Sequence, residues 1–329
     1  MDTHACPNPI VTIIVPVYNG ARYLRRCIDS VFENRFESIE LLLMDDGSTD
    51  GSRPIMDEYA NACPGVVRAV SHENMGVART RNRAIGLARG KYILFLDQDD
   101  WFDKDYIKTY VGEIEAHGCD VVIGGYKRPD GSGRVRKRKL LSGRGFYQYI
   151  IVYAWARIHR TEYLRGHSIE FFDNNIGEDV AFCFAEAAHS ANMRYIRYDG
   201  YNWFFNAESV SEAKHKGLRD DVDIIPWMEK VTEFRFESAI LREYCIVKLP
   251  IYYLLHSGRN ASPKKFMAHY QELFKWVDAK FPGCKKNKYL LWGLPGERFP
   301  VKFGIAAFLA IRRLGLMGLF SKLYCSGRV

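Results

Sequence analysis

The chain has 329 residues, of which 47% are hydrophobic and 26% are charged, so its composition is that of a folded protein and not of a disordered one. This length allows one large α/β domain with an extension, or two domains. The formal net charge of +8 admits three kinds of partner, namely nucleic acid, an anionic membrane surface and anionic substrates such as phosphates. Charge alone does not choose among them.

The cysteines and the N-terminal residues bear on the compartment. The eight cysteines are scattered without a C-x-x-C pair, which predicts reduced thiols and neither a disulfide framework nor a zinc site. Residues 1–7 lack the basic and apolar regions of a signal peptide. No apolar run reaches the roughly 18 residues that span a bilayer. We therefore expect a cytoplasmic protein, peripheral at most at the inner face of the cell membrane.

The first hundred residues alternate strand-like and helix-like stretches, as in βαβ units with a parallel sheet. The patterns predict strand 11–17, helix 21–33, strand 39–44, a helix ending near 62, strand 66–70, helix 76–88 and strand 91–96. They continue with helix 103–117, strand 120–124, a basic hairpin-like segment around 130–133, and helices 220–231, 237–256, 263–280 and 299–324. The simplest division is a catalytic domain over 1–215 and a helical C-terminal region over 216–329.

Three aspartates crowd the turn that ends the predicted strand 91–96. Asp97, Asp99 and Asp100 repel one another unless a cation or a basic group offsets their charge. A hard divalent cation, Mn²⁺ or Mg²⁺, is typically held by one or two carboxylates plus substrate phosphates, which suits a donor that contains a diphosphate. A helix N-cap at Asp100 with solvated neighbours explains the same cluster, so both interpretations remain open.

Polar turns also follow the first two predicted strands, where open α/β sheets bind their ligands. Segment 16–20 contains Tyr18 and Asn19, an aromatic ring and an amide that are able to bind a nucleobase. In segment 45–50, Asp46 precedes a glycine that permits a sharp turn, so that a carboxylate can face a ligand. A strand-ending turn and a helix-starting turn are the plainer explanations.

Two later helix starts carry charged residues. Segment 74–82 places Arg81 where it is able to bind a phosphate or a base, although a solvated basic face explains it too. Glu178 and Asp179 begin a predicted apolar helix, where a carboxylate fits a general base that takes the proton of an attacking hydroxyl. The helix dipole also favours acidic residues in a first turn.

Taken in order, these segments resemble the family 2 glycosyltransferases of the GT-A fold, particularly bacterial enzymes that build surface polysaccharide or lipopolysaccharide. The matching segments are Pro16-Val-Tyr-Asn19, Asp45-Asp-Gly-Ser48, Asn74-x-Gly76 with Ala78 to Asn82, Leu96-Asp-x-Asp-Asp100, Ala154-Trp155 and Gly177-Glu-Asp179. The resemblance covers residues 10–215. It implies an α/β fold with a Rossmann-like, mostly parallel central sheet flanked by helices, followed by a helical C-terminal region.

The resemblance further implies a role for each site residue. The implied nucleotide pocket consists of Pro16, Tyr18, Asp46 and Arg81, with Asp97 near the ribose, Asp99 on the metal and Asp100 sharing the metal. The implied general base for a direct, inverting displacement is Asp179, with Glu178 the less favoured base and with Trp155 and Trp203 as acceptor or loop residues. A tryptophan in the core is the alternative for Trp203.

We therefore expect a metal-dependent, inverting transferase that moves a sugar from a nucleotide-sugar donor, a UDP-sugar by resemblance, to a glycan or lipid-linked saccharide acceptor. A metal-dependent nucleotidyltransferase is the alternative enzyme, but it usually shows a basic Gly-rich loop at the first strand. A non-catalytic nucleic-acid-binding protein is the alternative of another class, suggested by the basic balance and the many aromatic residues. The positive charge is not gathered with aromatics on one recognisable module, so we expect no nucleic-acid partner.

Two basic segments are compatible with binding to an anionic membrane surface. The last predicted helix combines lysines and arginines with an apolar face formed by Phe303, Ile305, Phe308, Leu309, Leu316, Leu319 and Phe320. Such a helix either lies on an anionic membrane surface or packs its apolar stripe on the catalytic domain. The basic stretch 134–139 either adds attraction to a membrane or to phosphates, or is a solvated hairpin.

Overall fold

The structure is a computed structural model that describes residues 8–142, 145–173, 176–190, 192–205 and 217–325. The chain divides into two compact units. The first comprises Met1–Ser142, Ile151–Asp173 and Glu178–Asn206, and the second comprises Gly143–Ile150, Asn174–Gly177 and Ala207–Val329. The predicted domain boundary at residue 215 lies outside the described residues, so the division into 1–215 and 216–329 stays a prediction.

The first unit is built on a central sheet. The strands described in this unit are β1 (Val11–Val17), β2 (Ile39–Asp45), β3 (Val67–Ser71), β4 (Tyr92–Phe95), β5 (Trp101–Phe102), β6 (Val121–Ile123), β7 (Tyr126–Pro129), β8 (Val135–Lys139), β9 (Arg157–Arg160), β10 (Met193–Tyr195) and β11 (Tyr201–Asn202). Seven of them form one sheet in the order β10-β6-β9-β4-β1-β2-β3. Of these seven, β9 runs antiparallel to its neighbours β4 and β6 and the other pairs are parallel, so the predicted mostly parallel sheet is confirmed.

Helices flank this sheet and make up most of the second unit. In chain order they are α1 (Ala21–Glu33), α2 (Ser52–Ala62), α3 (Val77–Leu87), α4 (Tyr106–His117), α5 (Tyr147–Ile150), α6 (Thr161–Gly166), α7 (Glu178–His189), α8 (Ile225–Glu233), α9 (Ala239–Ser257), α10 (Pro263–Lys280), α11 (Lys288–Trp292), α12 (Phe299–Arg313) and α13 (Met317–Tyr324). The predicted helices 21–33 and 263–280 match α1 and α10, and the helical C-terminal region is confirmed.

The core of the first unit follows from the sequence pattern. Every residue of β1 and β2 is buried, because parallel central strands are covered by helices on both faces. Helix α1 buries Leu24, Cys27, Ile28 and Val31, whose spacing places them on one side of a helix with 3.6 residues per turn. This packing holds the carboxyl ends of the parallel strands in fixed positions.

A second, four-stranded sheet was not predicted. It has the order β5-β11-β7-β8 and joins the expected basic hairpin, β7 with β8, to two strands of two residues each. Such short strands give no alternating pattern to read, so the sequence did not reveal them. Strand β11 pairs with β5 and β7, which brings Tyr201 opposite Phe102 and Tyr126.

The second unit corrects one sequence prediction. The expected continuous helix 299–324 is two helices, because α12 ends at Arg313 and α13 begins at Met317. Between them Gly315 adopts a φ of 71°, a left-handed conformation that glycine reaches at little cost and that ends a helix. Among the helices in the described part of the chain, none combines the length and apolar character that a bilayer crossing would need.

Candidate functional site

Most of the polar turns singled out by the sequence meet at one edge of the central sheet. The adjacent parallel strands β4, β1 and β2 all end there, and the turns after them carry Asp97, Tyr18 and Asp46. This edge is the usual ligand-binding side of an open α/β sheet. The structure therefore brings these three sequence-predicted residues to one side of the first unit.

A glutamine that the sequence analysis passed over holds two of these turns together. The Tyr18 N–H donates to Gln98 Oε1 at 2.9 Å, and Gln98 Nε2 donates to the Tyr18 carbonyl at 3.0 Å. Gly20 leaves the space that this amide needs, since a Cβ there would lie 2.2 Å from Gln98 Oε1. The ring of Tyr18 is 45% exposed and available to a ligand, whereas Pro16 is buried within β1.

Asp46 is buried and shapes the start of α3. Its carboxylate accepts hydrogen bonds from the backbone N–H of Met75 at 2.7 Å and of Gly76 at 3.1 Å. Gly76 has a φ of 87°, which a residue with a side chain rarely adopts. Asp46 thereby fixes the turn from which α3 projects Arg81, and its predicted contact with a nucleotide stays a prediction.

Arg81 joins the turn after β4 to the carboxylates at the start of α7. Its side chain is only 4% exposed, and it donates to Asp97 Oδ1 at 2.7 Å and to Asp179 Oδ1 at 2.9 Å. Glu178 Oε1 lies 3.8 Å away. Burial works to lower the pKa of Arg81, but the charges of Asp179, Asp97 and Glu178 raise it above its ordinary value. Arg81 is therefore a fixed cation shared by three carboxylates.

Asp179 has the proton affinity that a base needs near neutral pH. Burial raises its pKa to about 7, and the charges of Glu178 and Asp97 act in the same direction, while Arg81 and Arg157 oppose them. Its side chain is still 19% exposed, so a hydroxyl is able to reach the carboxylate. A carboxylate with a pKa near the working pH is well matched to general base catalysis.

Asp100, which was predicted to share the metal, is held inside the protein, and its part in metal binding stays a prediction. Its side chain is fully buried, with Oδ2 accepting from the Tyr201 hydroxyl at 2.7 Å and Oδ1 from the Phe204 N–H at 2.8 Å. Burial, together with the charges of Asp99 and Asp97, raises the pKa of Asp100 well above its ordinary value. Both oxygens are engaged inside the protein, so Asp100 anchors the turn to the segment after β11.

The fit of a divalent cation consequently depends on the remaining two aspartates. Asp97 Oδ1 is bonded to Arg81, and Asp99 is half-buried at the turn. In the described ranges no three His, Cys, Asp or Glu side chains gather as a metal site. Magnesium and manganese often use one or two carboxylates and complete their shell with substrate phosphates and water. Carboxylate oxygen is the right donor type, so a site at Asp99 fits such a shared arrangement.

Aromatic side chains cover the other side of this turn. Trp155 is 3% exposed and lies between the rings of Tyr153, 4.4 Å away, and Tyr201, 4.6 Å away, both nearly parallel to it. Trp203 packs on Trp155 at 5.4 Å and is half-buried, with the Arg128 guanidinium 4.1 Å from its ring centroid. Trp155 is thus a core residue and Trp203 is half-buried, and their predicted roles as acceptor or loop residues stay predictions.

A buried charged network behind α7 was also missed by the sequence analysis. Arg157 and His159 on β9 both contact the carboxylate of Glu186 on α7, and none of the three side chains is exposed. Burial works to raise the pKa of Glu186, but His159 and Arg157 lower it below its ordinary value. Asp179 and Glu186 lie seven residues apart on α7, so this network fixes the helix that carries the candidate base.

The site can be compared with known proteins. Residues 12–175 match the family described as Glycosyl transferase family 2. The putative glycosyltransferase EpsH of Bacillus subtilis is 26% identical over 272 residues, which cover 76% of each chain. Glycosyltransferase GlyA of Streptococcus pneumoniae is 36% identical over 116 residues, 35% of this chain, and this match spans only 16% of GlyA.

The fold has a solved counterpart. The crystal structure of S. aureus TarS 1-349 in complex with UDP-GlcNAc superposes with a TM-score of 0.69, covering 93% of this chain and 92% of that chain at 18% identity. At this identity the likeness shows the fold alone, and it confirms the GT-A architecture. Together with the family match and the relatives, it establishes that the chain belongs to glycosyl transferase family 2 and that the predicted enzyme class, a glycosyltransferase, is correct.

Proposed function

We propose that this protein transfers a sugar from a nucleotide-sugar donor to an acceptor hydroxyl with inversion at the anomeric carbon, in the synthesis of a cell-surface polysaccharide. The observation that supports the proposal is the link from Asp179 through Arg81 to Asp97, which follows β4 at the carboxyl edge of the sheet. The nucleotide side and the candidate base are thereby held in one arrangement of charges.

Asp179 supplies the base in this reaction. The acceptor oxygen attacks the anomeric carbon, its proton passes to the Asp179 carboxylate, and the bond from that carbon to the diphosphate oxygen breaks. The nucleoside diphosphate leaves with the electron pair of that bond. One displacement with one base requires inversion. Asp179 is preferred to Glu178 because burial raises its pKa to about 7 while Arg81 holds its carboxylate in place at 2.9 Å.

The nucleotide lies, in this proposal, against the edge formed by Tyr18, Asp46 and Asp97. Tyr18 offers an exposed ring for stacking on the base. A uracil nucleotide is favoured because TarS, which shares the fold, was crystallised with UDP-GlcNAc. Asp99 is the residue we expect to hold Mn²⁺ or Mg²⁺, and such a cation stabilises the negative charge of a departing diphosphate.

The acceptor is a glycan or a lipid-linked saccharide in this proposal. Trp203 is the candidate contact, because it is only half-buried whereas Trp155 is enclosed. Aromatic faces commonly pack against apolar ring surfaces, with polar neighbours fixing the orientation. The family assignment favours this transferase chemistry over a nucleotidyltransferase or a non-catalytic nucleic-acid-binding protein.

The test is nucleoside diphosphate release from a panel of nucleotide sugars, with and without Mn²⁺ or Mg²⁺, for the full chain and three variants. Asp179→Asn removes the base, and Asp99→Asn removes the proposed cation ligand. Asp57→Asn is the matched control, because Asp57 is a half-exposed partner of Arg53 on α2, outside the site.

We expect one donor class to be turned over, a loss of about 10²-fold or more in kcat for Asp179→Asn, and an unchanged control. We also expect Asp99→Asn to weaken Mn²⁺ binding to the protein–nucleotide complex in calorimetry. Full activity of Asp179→Asn would exclude Asp179 as the base. A product of retained configuration, read by NMR, would exclude the single displacement.

A further inference from the structure

The positive charge of the chain is concentrated in one segment. Residues 282–329 contain nine lysines and arginines and one acidic residue, Glu297, so their net charge of +8 equals that of the whole chain. The remaining 281 residues carry equal numbers of basic and acidic side chains. Glu297 is itself buried and paired with Lys248 and Tyr244. Apart from Glu297, every charged side chain of this segment is basic, and one of them, Arg312, pairs with Asp278 of α10 at 2.6 Å.

Exposed apolar side chains are concentrated in the same segment. Thirteen large hydrophobic residues are exposed in the described part of the chain, and eight of them lie between residues 291 and 323. We call these eight the apolar patch: Leu291, Trp292, Phe299, Phe303, Leu314, Leu316, Leu319 and Leu323. The most exposed are Leu323 at 79%, and Trp292 and Phe299 at 76% each. Large apolar surface left in water usually marks an interaction site.

The patch lies on the last three helices and on the link between α12 and α13, because Leu291 and Trp292 end α11. On α12, Phe299 and Phe303 are one helical turn apart with their rings 6.1 Å from each other, and on α13 the spacing of Leu319 and Leu323 places them on one face, with Leu316 at the residue before that helix. The opposite face of α12 packs inside the second unit, where Ile305, Phe308 and Leu309 are buried. The sequence-predicted apolar face thus divides into a packed half and an exposed half.

The aromatic packing between α10 and the last two helices does not involve the patch. Phe308 stacks on Phe274 of α10 with ring centroids 5.5 Å apart, and Phe320 lies 5.9 Å from Phe266 of the same helix. These four rings pack inside the second unit, whereas the side chains of the patch leave much of their surface exposed. Residues of this kind can be changed to polar ones without removing a core contact.

We propose that the apolar patch and the basic residues around it bind the headgroup boundary of an anionic lipid bilayer. Tryptophan, phenylalanine and leucine on an outer helical face, flanked by lysine and arginine, are the composition of interfacial membrane helices. Lysine stems can lie along the apolar layer while their ammonium groups meet lipid phosphates. Lys322 is exposed and lies between Leu319 and Leu323 in the chain, so its ammonium group is placed to contact a lipid phosphate in this proposal. This binding goes beyond sugar transfer and does not depend on the donor.

Vesicle co-sedimentation of the full chain tests the proposal, with phosphatidylcholine vesicles compared with vesicles that also contain phosphatidylglycerol. The patch variant is Phe303→Ser with Leu323→Ser, and its control is Ile240→Ser, which changes an exposed apolar residue on α9. The charge variant is Lys322→Gln, and its control is Lys108→Gln, which changes an exposed lysine on α4.

We expect binding only to the anionic vesicles, a loss of more than tenfold for the patch variant, and a loss of about fivefold for Lys322→Gln. Neither control should change binding. Vesicles should also shift the tryptophan fluorescence to the blue, and Trp292→Phe should remove that shift. Nucleoside diphosphate release without vesicles should be equal in all these variants, so a failure of the proposed transfer reaction remains distinguishable.

Three results would overturn the proposal. One is equal binding by the patch variant and its Ile240→Ser control. Another is equal binding to neutral and anionic vesicles. The third is a dimer, seen by light scattering without lipid, that the patch variant dissociates, because the patch would then be covered by a second copy of this chain.

Discussion

The ionisation of Asp179 should set the acidic limb of the pH–rate profile. Its pKa of about 7 means that about one molecule in ten has the ionised base at pH 6, and about one in a hundred at pH 5. We therefore expect kcat/KM to fall about tenfold for each pH unit below 7. Since kcat/KM reports the free enzyme, this is the state to which the structure applies. The Asp179→Asn variant should have low residual activity without that limb.

The ionisation of Asp179 should also make the free energy of unfolding depend on pH. The ordinary pKa of this carboxyl is 3.8 and the folded value is about 7, so the folded protein keeps a proton that the unfolded chain releases between these values. The resulting stabilisation is complete below pH 3.8 and is lost as the pH rises to about 7. Its size is on the order of 4 kcal/mol, at about 1.4 kcal/mol per pKa unit.

Urea unfolding of the wild type and Asp179→Asn from pH 4 to pH 8 measures this difference. The asparagine side chain does not titrate. The free energy of unfolding of the variant, relative to that of the wild type, should therefore rise by about that amount as the pH rises. An acidic limb with a midpoint near pH 4, together with a constant difference in the free energy of unfolding, would refute the argument that burial raises this pKa. Coincident shifts near pH 7 in both measurements would support it.

Three further changes test the surroundings of the base. Glu186→Gln leaves the buried Arg157 without its charged partner, so the free energy of unfolding should fall by about 3–5 kcal/mol in urea titrations; a change under about 1 kcal/mol would contradict it. Arg81→Gln should move the acidic limb of kcat/KM above pH 7, because the cation that lowers the pKa of the base is gone, and an unmoved limb would contradict this. Tyr201→Phe removes a hydrogen bond to the buried Asp100, so we expect a loss of about 1–3 kcal/mol in thermal unfolding, and an unchanged melting temperature would argue against the anchoring role.

Local patterns were enough to predict the first sheet and the edge at which its polar turns meet. The strands β1, β2 and β4 are apolar runs separated by helix-period segments, and parallel strands joined by helices must end on the same edge. The turns holding Tyr18, Asp46 and Asp97 could therefore be placed together from the amino-acid sequence alone. The break at Gly315 was missed because apolar periodicity continues across it, whereas its left-handed φ belongs to the backbone alone.

Roles that depend on distant partners could not be predicted from the sequence. The hydrogen bond that anchors Asp100 comes from Tyr201, which stands 101 residues later on a strand of two residues. Charged residues are seldom fully buried without a partner, and the partner that allows Arg157 to be buried, Glu186, lies 29 residues away on another element. In both cases the sequence contains the residue but not the contact.

Arg81 shows why a single side chain must be an arginine here. It lies on α3 and joins two other segments, because Asp97 follows β4, Asp179 begins α7, and their carboxylates approach it on different nitrogens, Nη2 and Nη1. A guanidinium presents its donors in a rigid plane and keeps its charge when buried, whereas an ammonium is a point charge that loses its proton more readily in that setting. Moving either carboxylate would leave the other alone with a buried cation, so the turn after β4 and the start of α7 cannot shift independently. In the proposed reaction, this coupling positions Asp179 before any substrate binds.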